Sequence, residues 1–345
     1  MNASISAIDD TDRALVHALQ LAPRASWERL AGVLGSRPDT LARRWERLTA
    51  CGAAWSFAVG LRSGRRPPCL AWVEVRCGAG AADGVGAALA ADPHALGVEH
   101  CTGDRDLLLF VAVPDPAALY RWLSERVCRL PGVVDTRSAI VTTVHQPPDR
   151  WRLDQLTPAQ AARLPASVSP GGVGRVAELT PADRPLVLAL AGDARRSVAA
   201  LARECAMSES TVRRRLAVLE AGRGLRLGCG VSAGLSGWPV TATVWASVPE
   251  HEVVECAAVV GGLRETVACA SVTGPRNLLV SVRLRSVEEL SRYCGELTRR
   301  LPGVRVADSS VSLRVRKVEG QVLDARGYRV GTVAPDIWAD PGGSG

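Results

Sequence analysis

The chain is written twice. Asp12-Arg13 returns as Asp183-Arg184, Leu15-Val16 as Leu186-Val187, and Ala18-Leu19 as Ala189-Leu190. Ser26 matches Ser197, Leu30-Ala31 matches Leu201-Ala202, Thr40 matches Thr211, and Arg43-Arg44 matches Arg214-Arg215. Far downstream, Thr102-Gly103 returns as Thr273-Gly274 and Leu130-Pro131-Gly132-Val133 as Leu301-Pro302-Gly303-Val304. Every pair is separated by the same interval of 171 residues. A fixed offset over so long a span marks a tandem duplication, and any fold assigned to one repeat has to suit the other. The 345 residues are therefore two copies of one multi-domain unit.

Each repeat opens with helical periodicity. In the first, Asp9, Asp10 and Asp12 start a helix carrying Leu15 and Leu19, where acidic groups complement the positive end of the helix dipole. A second helix is predicted over Trp27–Leu34. Ser36 then caps a third helix, with Pro38 in its first turn and Asp39 completing a shortened capping box. That helix turns Leu41, Trp45 and Leu48 inward and Arg43, Arg44 and Arg47 elsewhere. In the second repeat, Glu204–Glu220 ends a short helix near Cys205-Ala206 and starts another with Ser208 as N-cap. Val212, Leu216 and Leu219 share one face, and Arg213, Arg214 and Arg215 fan around it. A polar first turn of Glu209, Ser210 and Thr211 followed by arginines suits a helix in a DNA major groove, its first residues at bases and its arginines at phosphates. A capped surface helix with a solvated basic face has the same pattern.

Beyond these helices each repeat changes character. Cys69–Val75 and Val240–Ala246 read as strands. Helices near 85–91 and 253–259 follow, then a strand into each Thr-Gly turn and a strand out, Leu107–Val111 and Leu278–Val282. A second helix spans about Pro116 to Leu130 and Val287 to Leu301, and a last strand Ser138–Val144 or Ser309–Val315. The order βαββαβ is ferredoxin-like, an antiparallel sheet with both helices on one face. The expected architecture is thus α+β: two tandem units, each a helix-turn-helix (winged-helix-like) domain followed by a ferredoxin-like domain. Their expected bounds are 1–60 and 66–146, then 178–230 and 237–319. A Pro- and Gly-rich linker at 147–177 joins them, and a disordered tail is expected over 334–345.

Composition narrows the function classes. Hydrophobic residues at 47% and charged residues at 22% describe a folded chain, and a net charge of +7 permits nucleic-acid binding without requiring it. Nearly all of the positive charge is arginine, Lys317 being the single lysine. The ten cysteines form no CxxC pair and no zinc-ligand spacing, and Cys205, Cys256 and Cys269 sit at apolar positions as small core residues. The opening MNASISAIDDTDR has neither a basic nor an apolar leader region, and no apolar run approaches the roughly 18 residues of a membrane span. A soluble, cytoplasmic chain with no membrane partner is expected. No nucleophile–base arrangement, phosphate loop or metal spacing is visible, so no catalytic residue, metal or cofactor is expected.

Taken together, IDDTDR and LTPADR, SWERLA and SVAALA, TLARRWERL and TVRRRLAVLE, CTGDRDLLL and VTGPRNLLV, and the two LPGV turns resemble the leucine-responsive/asparagine-regulator (Lrp/AsnC) family of bacterial transcription factors. The resemblance covers both repeats and leaves out only the linker and tail. It implies binding of double-stranded DNA, through Arg37, Asp39, Thr40, Arg43, Arg44 and Arg47 in the first repeat. In the second it implies Ser208, Ser210, Thr211, Arg213, Arg214 and Arg215. It also implies self-association of the ferredoxin-like domains and a small effector, an amino acid foremost, near Thr102, Gly103, Asp104 and Asp106 and near Thr273, Gly274 and Asn277. The repeats differ there: Asp104 and Asp106 could hold an ammonium group, whereas Pro275 and Asn277 stand in their places, and Asp104 also suits a plain β-turn. In this fused chain the family's dimer contact is expected between the chain's own two sheets, with further pairing of chains building a larger ring.

Two other functions fit the same fold. Siroheme decarboxylases use this two-part architecture and would need histidine and arginine at a tetrapyrrole pocket. The five histidines, His17, His94, His100, His145 and His251, have no counterparts at the repeat interval, and only His100 lies close to a Thr-Gly turn. A chromosome-architectural protein binding DNA with little sequence preference is the other, against which the moderate net charge argues weakly.

Overall fold

A computed structural model describes residues 8–60, 67–164, 179–221 and 224–341. In chain order the first repeat forms α1 (Asp10–Leu21), α2 (Trp27–Leu34), α3 (Pro38–Ala50), β1 (Ala54–Gly60), β2 (Cys69–Cys77) and α4 (Ala82–Ala90). It continues with β3 (Ala95–Cys101), β4 (Leu107–Val113), α5 (Pro116–Arg121) and the 14-residue β5 (Val133–Gln146). A short α6 (Pro158–Ala162) precedes the second repeat: α7 (Arg184–Ala191), α8 (Val198–Glu204), α9 (Glu209–Ala221), β6 (Leu225–Val231), α10 (Ala233–Ser236) and β7 (Val240–Ser247). Then come α11 (Val253–Gly261), β8 (Thr266–Val272), β9 (Leu278–Leu284), α12 (Glu288–Arg300), β10 (Arg305–Val318), β11 (Gln321–Leu323) and β12 (Arg329–Thr332). The described residues fall into two compact units. One lies within 1–68, 152–232 and 319–339, the other within 69–151, 233–318 and 340–345. Each draws on both repeats.

The first unit holds both helix-turn-helix modules. Ser26 and Ser197, one repeat interval apart, cap α2 and α8 by accepting the Arg29 and Ala200 amides. Leu15, Leu30, Leu41 and Leu48 are buried in one module, and Leu186, Leu190, Leu201, Val212 and Leu219 in the other. The modules join through an antiparallel β1–β6 ladder in which Phe57 lies opposite Gly228, its own counterpart in the second repeat. A pseudo-two-fold axis therefore passes through that pair. At such a point a residue faces its own copy, and only one large side chain fits: a Cβ built on Gly228 would sit 2.3 Å from the Phe57 ring. A second lock is reciprocal. Arg24 donates to the Ala194 and Arg196 carbonyls, while its counterpart Arg195 donates to the Pro23 and Ala25 carbonyls, at 2.6 and 2.9 Å.

Three expectations need correction in this unit. The residue capping α3 is Arg37, which makes no side-chain cap bond, and not Ser36, because the chain turns helical only at Pro38. The expected linker is built in as far as Leu164: Leu153, Leu156 and Leu164 are buried, and the Leu153 amide donates to Gln20. The expected tail is partly folded too. The unforeseen β11–β12 hairpin precedes it, Ile337 is buried, and Arg184 holds Asp336 at 2.6 Å. Residues 1–7, the boundary positions 66 and 178, the rest of the linker (165–177) and the end of the tail (342–345) lie outside the described residues.

The second unit holds both ferredoxin-like sheets, strand order β3-β4-β2-β5 in the first repeat and β8-β9-β7-β10 in the second. Helices α4 and α5 cover one core (Val73, Leu89, Leu109, Trp122), and α11 and α12 cover the equivalent one (Val244, Val260, Val280, Leu297). The helix expected over Pro116–Leu130 changes to a wider turn at Trp122–Val127, where the buried Trp122 indole donates to Asp92. Between the sheets lies a third core of Cys101, Leu108, Trp245, Val272 and Leu279. The long strands tie the sheets together. β5 pairs with β2 up to Ile140 and with β8 from Val141 on, while β10 pairs with β7 up to Val311 and with β3 from Ser312 on. The single lysine, Lys317, is fully buried here and donates to the Asp92 carbonyl, and burial pulls its pKa down to about 7.

Two outcomes follow. Gly228→Val puts a branched side chain into the Phe57 ring, and urea unfolding should show a loss of about 1–3 kcal/mol. His17 is buried and its Nδ1 accepts the Gln155 and Leu156 amides at 2.9 and 3.0 Å, so the folded chain needs it neutral. Burial, helped by Arg152, lowers its pKa to about 4. An unfolded histidine protonates near pH 6.5, so this contribution is intact above that pH and shrinks as pH falls toward 4, by about 2 kcal/mol at pH 5. Urea unfolding at pH 8 and pH 5 should show His17→Gln losing less stability between the two than the native chain.

Candidate recognition helices and the turn pocket

Residues α3 and α9 present to solvent are sorted by two buried carboxylates. Asp12, fully buried, closes the α1 capping box with Asp9 and accepts Arg44 at 2.9 Å and Arg47 at 2.6 Å. Asp183 stands one repeat interval on, 2% exposed, and accepts both the Nε and Nη2 of Arg215. Burial works against the Asp183 carboxylate, but Arg215 and the Thr180 amide and hydroxyl more than offset it, and its pKa lies below the ordinary value. Arg44, Arg47 and Arg215 thus fasten the first helix to the third while staying partly exposed. Consecutive residues on a helix are 100° apart, so Arg43 and Arg214, next to these clamps, point outward. Both are exposed, as is Arg37, and none of the three has an ion pair among the described residues.

The remaining candidates divide. Asp39 is exposed and Thr40 half-buried at the start of α3. Ser208 accepts the Thr211 amide at 3.1 Å, as an N-cap does, and its hydroxyl also bonds those of Ser210 and Thr211 at 2.9 Å. Arg213 is paired to Glu209 one turn back at 2.9 Å. Two candidate recognition helices result, similar in frame and different in surface.

In the second unit the Thr-Gly turns do something unforeseen. The Thr102 amide donates to the Val311 carbonyl and its hydroxyl accepts the Val311 amide, both at 3.0 Å. Thr273 repeats both bonds with Ile140, at 2.9 and 3.0 Å. Each threonine clamps the other repeat's long strand where that strand changes partners. Gly103 and Gly274 follow at φ +99° and +104°, which glycine adopts without strain. Asp106 and Asn277 likewise serve the backbone: Asp106 accepts the Cys77 amide at 2.7 Å, and Asn277 accepts the Val248 amide and donates to its carbonyl, both at 2.9 Å. Either side chain can fill this turn-closing role; Asp106 also lines the cavity beside Gly103, whereas Asn277 is buried. Asp104 is exposed at the turn tip.

Beside Gly103 opens a cavity of about 470 Å³ lined by Glu74, Arg76, Asp104, Arg105, Asp135 and Arg137. Two of its lining residues, Glu74 and Arg105, belong to a charge cluster that the sequence reading missed. Glu74 and Asp308 each meet both Arg105 and Arg276, with Arg276 at 3.0 and 3.2 Å, and the Arg105 guanidinium lies 4.0 Å over the Trp245 ring. Arg105 and Arg276 are repeat counterparts, which was the available signal: an arginine kept at the same place in both turns. Two carboxylates against two guanidiniums satisfy charges whose burial would otherwise be costly. Asp135, Arg76 and Arg137 remain at the exposed rim, with Arg76 3.8 Å from Asp135. Among the described residues no three His, Cys, Asp or Glu side chains are grouped to hold a metal ion, and no helix is long and apolar enough to cross a membrane.

Two helix-turn-helix modules on a pseudo-two-fold axis, with two paired ferredoxin-like domains, make up a duplicated two-domain architecture built in one chain. The AsnC-type helix-turn-helix domain matches residues 8–49 and 179–220, and the Lrp/AsnC ligand binding domain matches 70–149 and 241–322. The leucine-responsive regulatory protein of Salmonella typhimurium is 32% identical over 138 residues, which cover 39% of this chain and 84% of that protein. An uncharacterised HTH-type transcriptional regulator of Pyrococcus furiosus is 25% identical over 136 residues, 39% of this chain and 92% of that one. Among solved structures, the siroheme decarboxylase NirDL in complex with an iron-uroporphyrin III analogue shares the fold, with a TM-score of 0.58 over 90% of this chain and 93% of that chain at 18% identity. The chain belongs to the Lrp/AsnC family, and its domains are those of a DNA-binding regulator modulated by an effector.

The clamp and the outward arginine separate by stability. Asp183→Ala strands Arg215 and should cost about 2–3 kcal/mol in urea unfolding. Arg214→Ala should stay within about 0.5 kcal/mol of the native chain.

Proposed function

We propose that the chain is a cytoplasmic, sequence-specific transcriptional regulator, not an enzyme, that binds an operator through α3 and α9 and senses a small zwitterion beside Gly103. The observation that carries the DNA contact is the pair Arg43 and Arg214, exposed at equivalent places while their neighbours Arg44 and Arg215 are held inward. Buried carboxylates set the angle of both helices, so the outward arginines are presented rigidly to phosphates or guanine edges. Arg37, Asp39, Thr40, Ser208, Ser210 and Thr211 surround them at the helix starts, where base edges are read.

The effector reading rests on the rim of the 470 Å³ cavity, which offers Asp104 to an ammonium group and Arg76 and Arg137 to a carboxylate. An amino acid fits that pattern, and the Salmonella relative's name makes leucine the first to try. The second repeat has Pro275 at the Asp104 position, so the first repeat is the better candidate site. A tetrapyrrole enzyme has less support. His100 accepts from Arg316 at 2.8 Å beside Asp83, and the other four histidines are scattered over both units rather than gathered at one pocket.

Fluorescence anisotropy on DNA from upstream of the chain's own gene tests the contact. Affinity should fall steeply with salt, and Arg43→Ala and Arg214→Ala should each lower the slope of log affinity against log salt by about one. An unchanged slope in both variants counts against phosphate contact. Calorimetry should show amino-acid binding that Asp104→Ala abolishes, whereas absorbance changes on adding a tetrapyrrole would favour the enzyme.

A further inference from the structure

We infer that the DNA partner is a non-palindromic duplex, whose two half-sites share a core and differ around it, bound by one chain in one orientation. The inference rests on the DNA-binding reading. A homodimer on a two-fold axis presents one surface twice, which is why symmetric proteins meet palindromic sites. Here the frame keeps that axis, through Phe57 opposite Gly228, but the surfaces it relates have diverged.

Thr40 and Thr211, and Arg43 and Arg214, are the same residue at the same place. The inward Arg44 and Arg215 also match, but the exposed residues around them do not. Arg37 stands against Ser208, Asp39 against Ser210, Ala42 against Arg213 and Glu46 against Ala217. Of these, Arg37, Asp39, Glu46, Ser208, Ser210, Arg213 and Ala217 are exposed, so the differences lie where DNA would be met rather than in the core.

The chemistry of each difference has a direction. The Arg37 side chain makes no cap bond and is long enough for two hydrogen bonds to a guanine edge. Its counterpart Ser208 has a short hydroxyl already bonded to the Thr211 amide and two neighbouring hydroxyls. Glu46 can accept from a cytosine amino group, whereas Ala217 offers a methyl suited to thymine. Arg213 is tied to Glu209, which leaves Arg214 as the one outward arginine of α9 without an ion pair among the described residues, against Arg37 and Arg43 on α3. The half-site under α3 should therefore be richer in G·C pairs than the one under α9, with a common step at the Thr-Arg pair.

The test selects binding sites for the full chain from a random duplex pool. Mobility shifts then compare the selected site with the two palindromes made by inverting each of its halves. The native chain should bind the selected site about tenfold or more tighter than either palindrome, the discrimination expected from one lost good base contact. A chain carrying Arg37→Ser, Pro38→Glu, Asp39→Ser, Ala42→Arg and Glu46→Ala, which brings these α9 surface residues and the Glu209–Arg213 pair onto α3, should move its preference to the α9-type palindrome. Binding of either palindrome by the native chain as tightly as the selected site overturns the inference while leaving DNA binding intact. Retention of no duplex even at low salt overturns both.

Discussion

Two strands that change partners hold the second unit together. β5 leaves its own sheet after Ile140 and β10 leaves its own after Val311, and each finishes in the sheet of the other repeat. A strand that switches sheets loses ladder bonds at the crossing, and those backbone groups need other partners. Thr273 and Thr102 supply them, donating an amide to the carbonyl and accepting the amide at the two crossing residues. The Thr-Gly turn is in this sense a structural clamp first. The cavity beside Gly103 exists because the clamp fixes the turn's position and the glycine's positive φ then carries the chain away.

Duplication supplied the symmetry, and divergence has made the halves complementary. Phe57 fills the axis position that Gly228 leaves open. Glu74 has Trp245 as its counterpart, so the carboxylate of one repeat and the aromatic ring of the other share a single cluster with Arg105 and Arg276. Asp308 likewise answers Arg137, placing a second carboxylate where the first repeat has a cation. Pairing the first repeat with itself would bring two phenylalanines together on the axis. Pairing the second with itself would place glycine opposite glycine there. The fused chain avoids both at this position.

Much of this was legible in the sequence because it is local. The repeat interval follows from exact residue matches, and the helix periodicity, the Ser208 cap and the βαββαβ order from residues a few positions apart, and these are found in the structure. What was not legible is long-range. Periodicity shows that Ser138–Val144 is a strand and is silent on its change of partner within that span. The short β1 and β6 gain their stability from each other, across more than 160 intervening residues, and neither carries a hairpin turn that would announce it. At the candidate recognition helices, adjacent arginines look alike on paper. Only the positions of Asp12 and Asp183 tell Arg44 and Arg215 from Arg43 and Arg214, although the pairing recurs at the repeat interval and could have been found there.

If the family's two-fold assembly is completed inside one chain, folding is unimolecular. The direct measurement is urea unfolding and refolding of the full chain over a hundredfold range of protein concentration. A chain that supplies both halves of every ladder should show a midpoint and a refolding rate that do not change with concentration. A midpoint that rises with concentration, with refolding that is second order, would mean that the strands cross between chains, and would contradict the account.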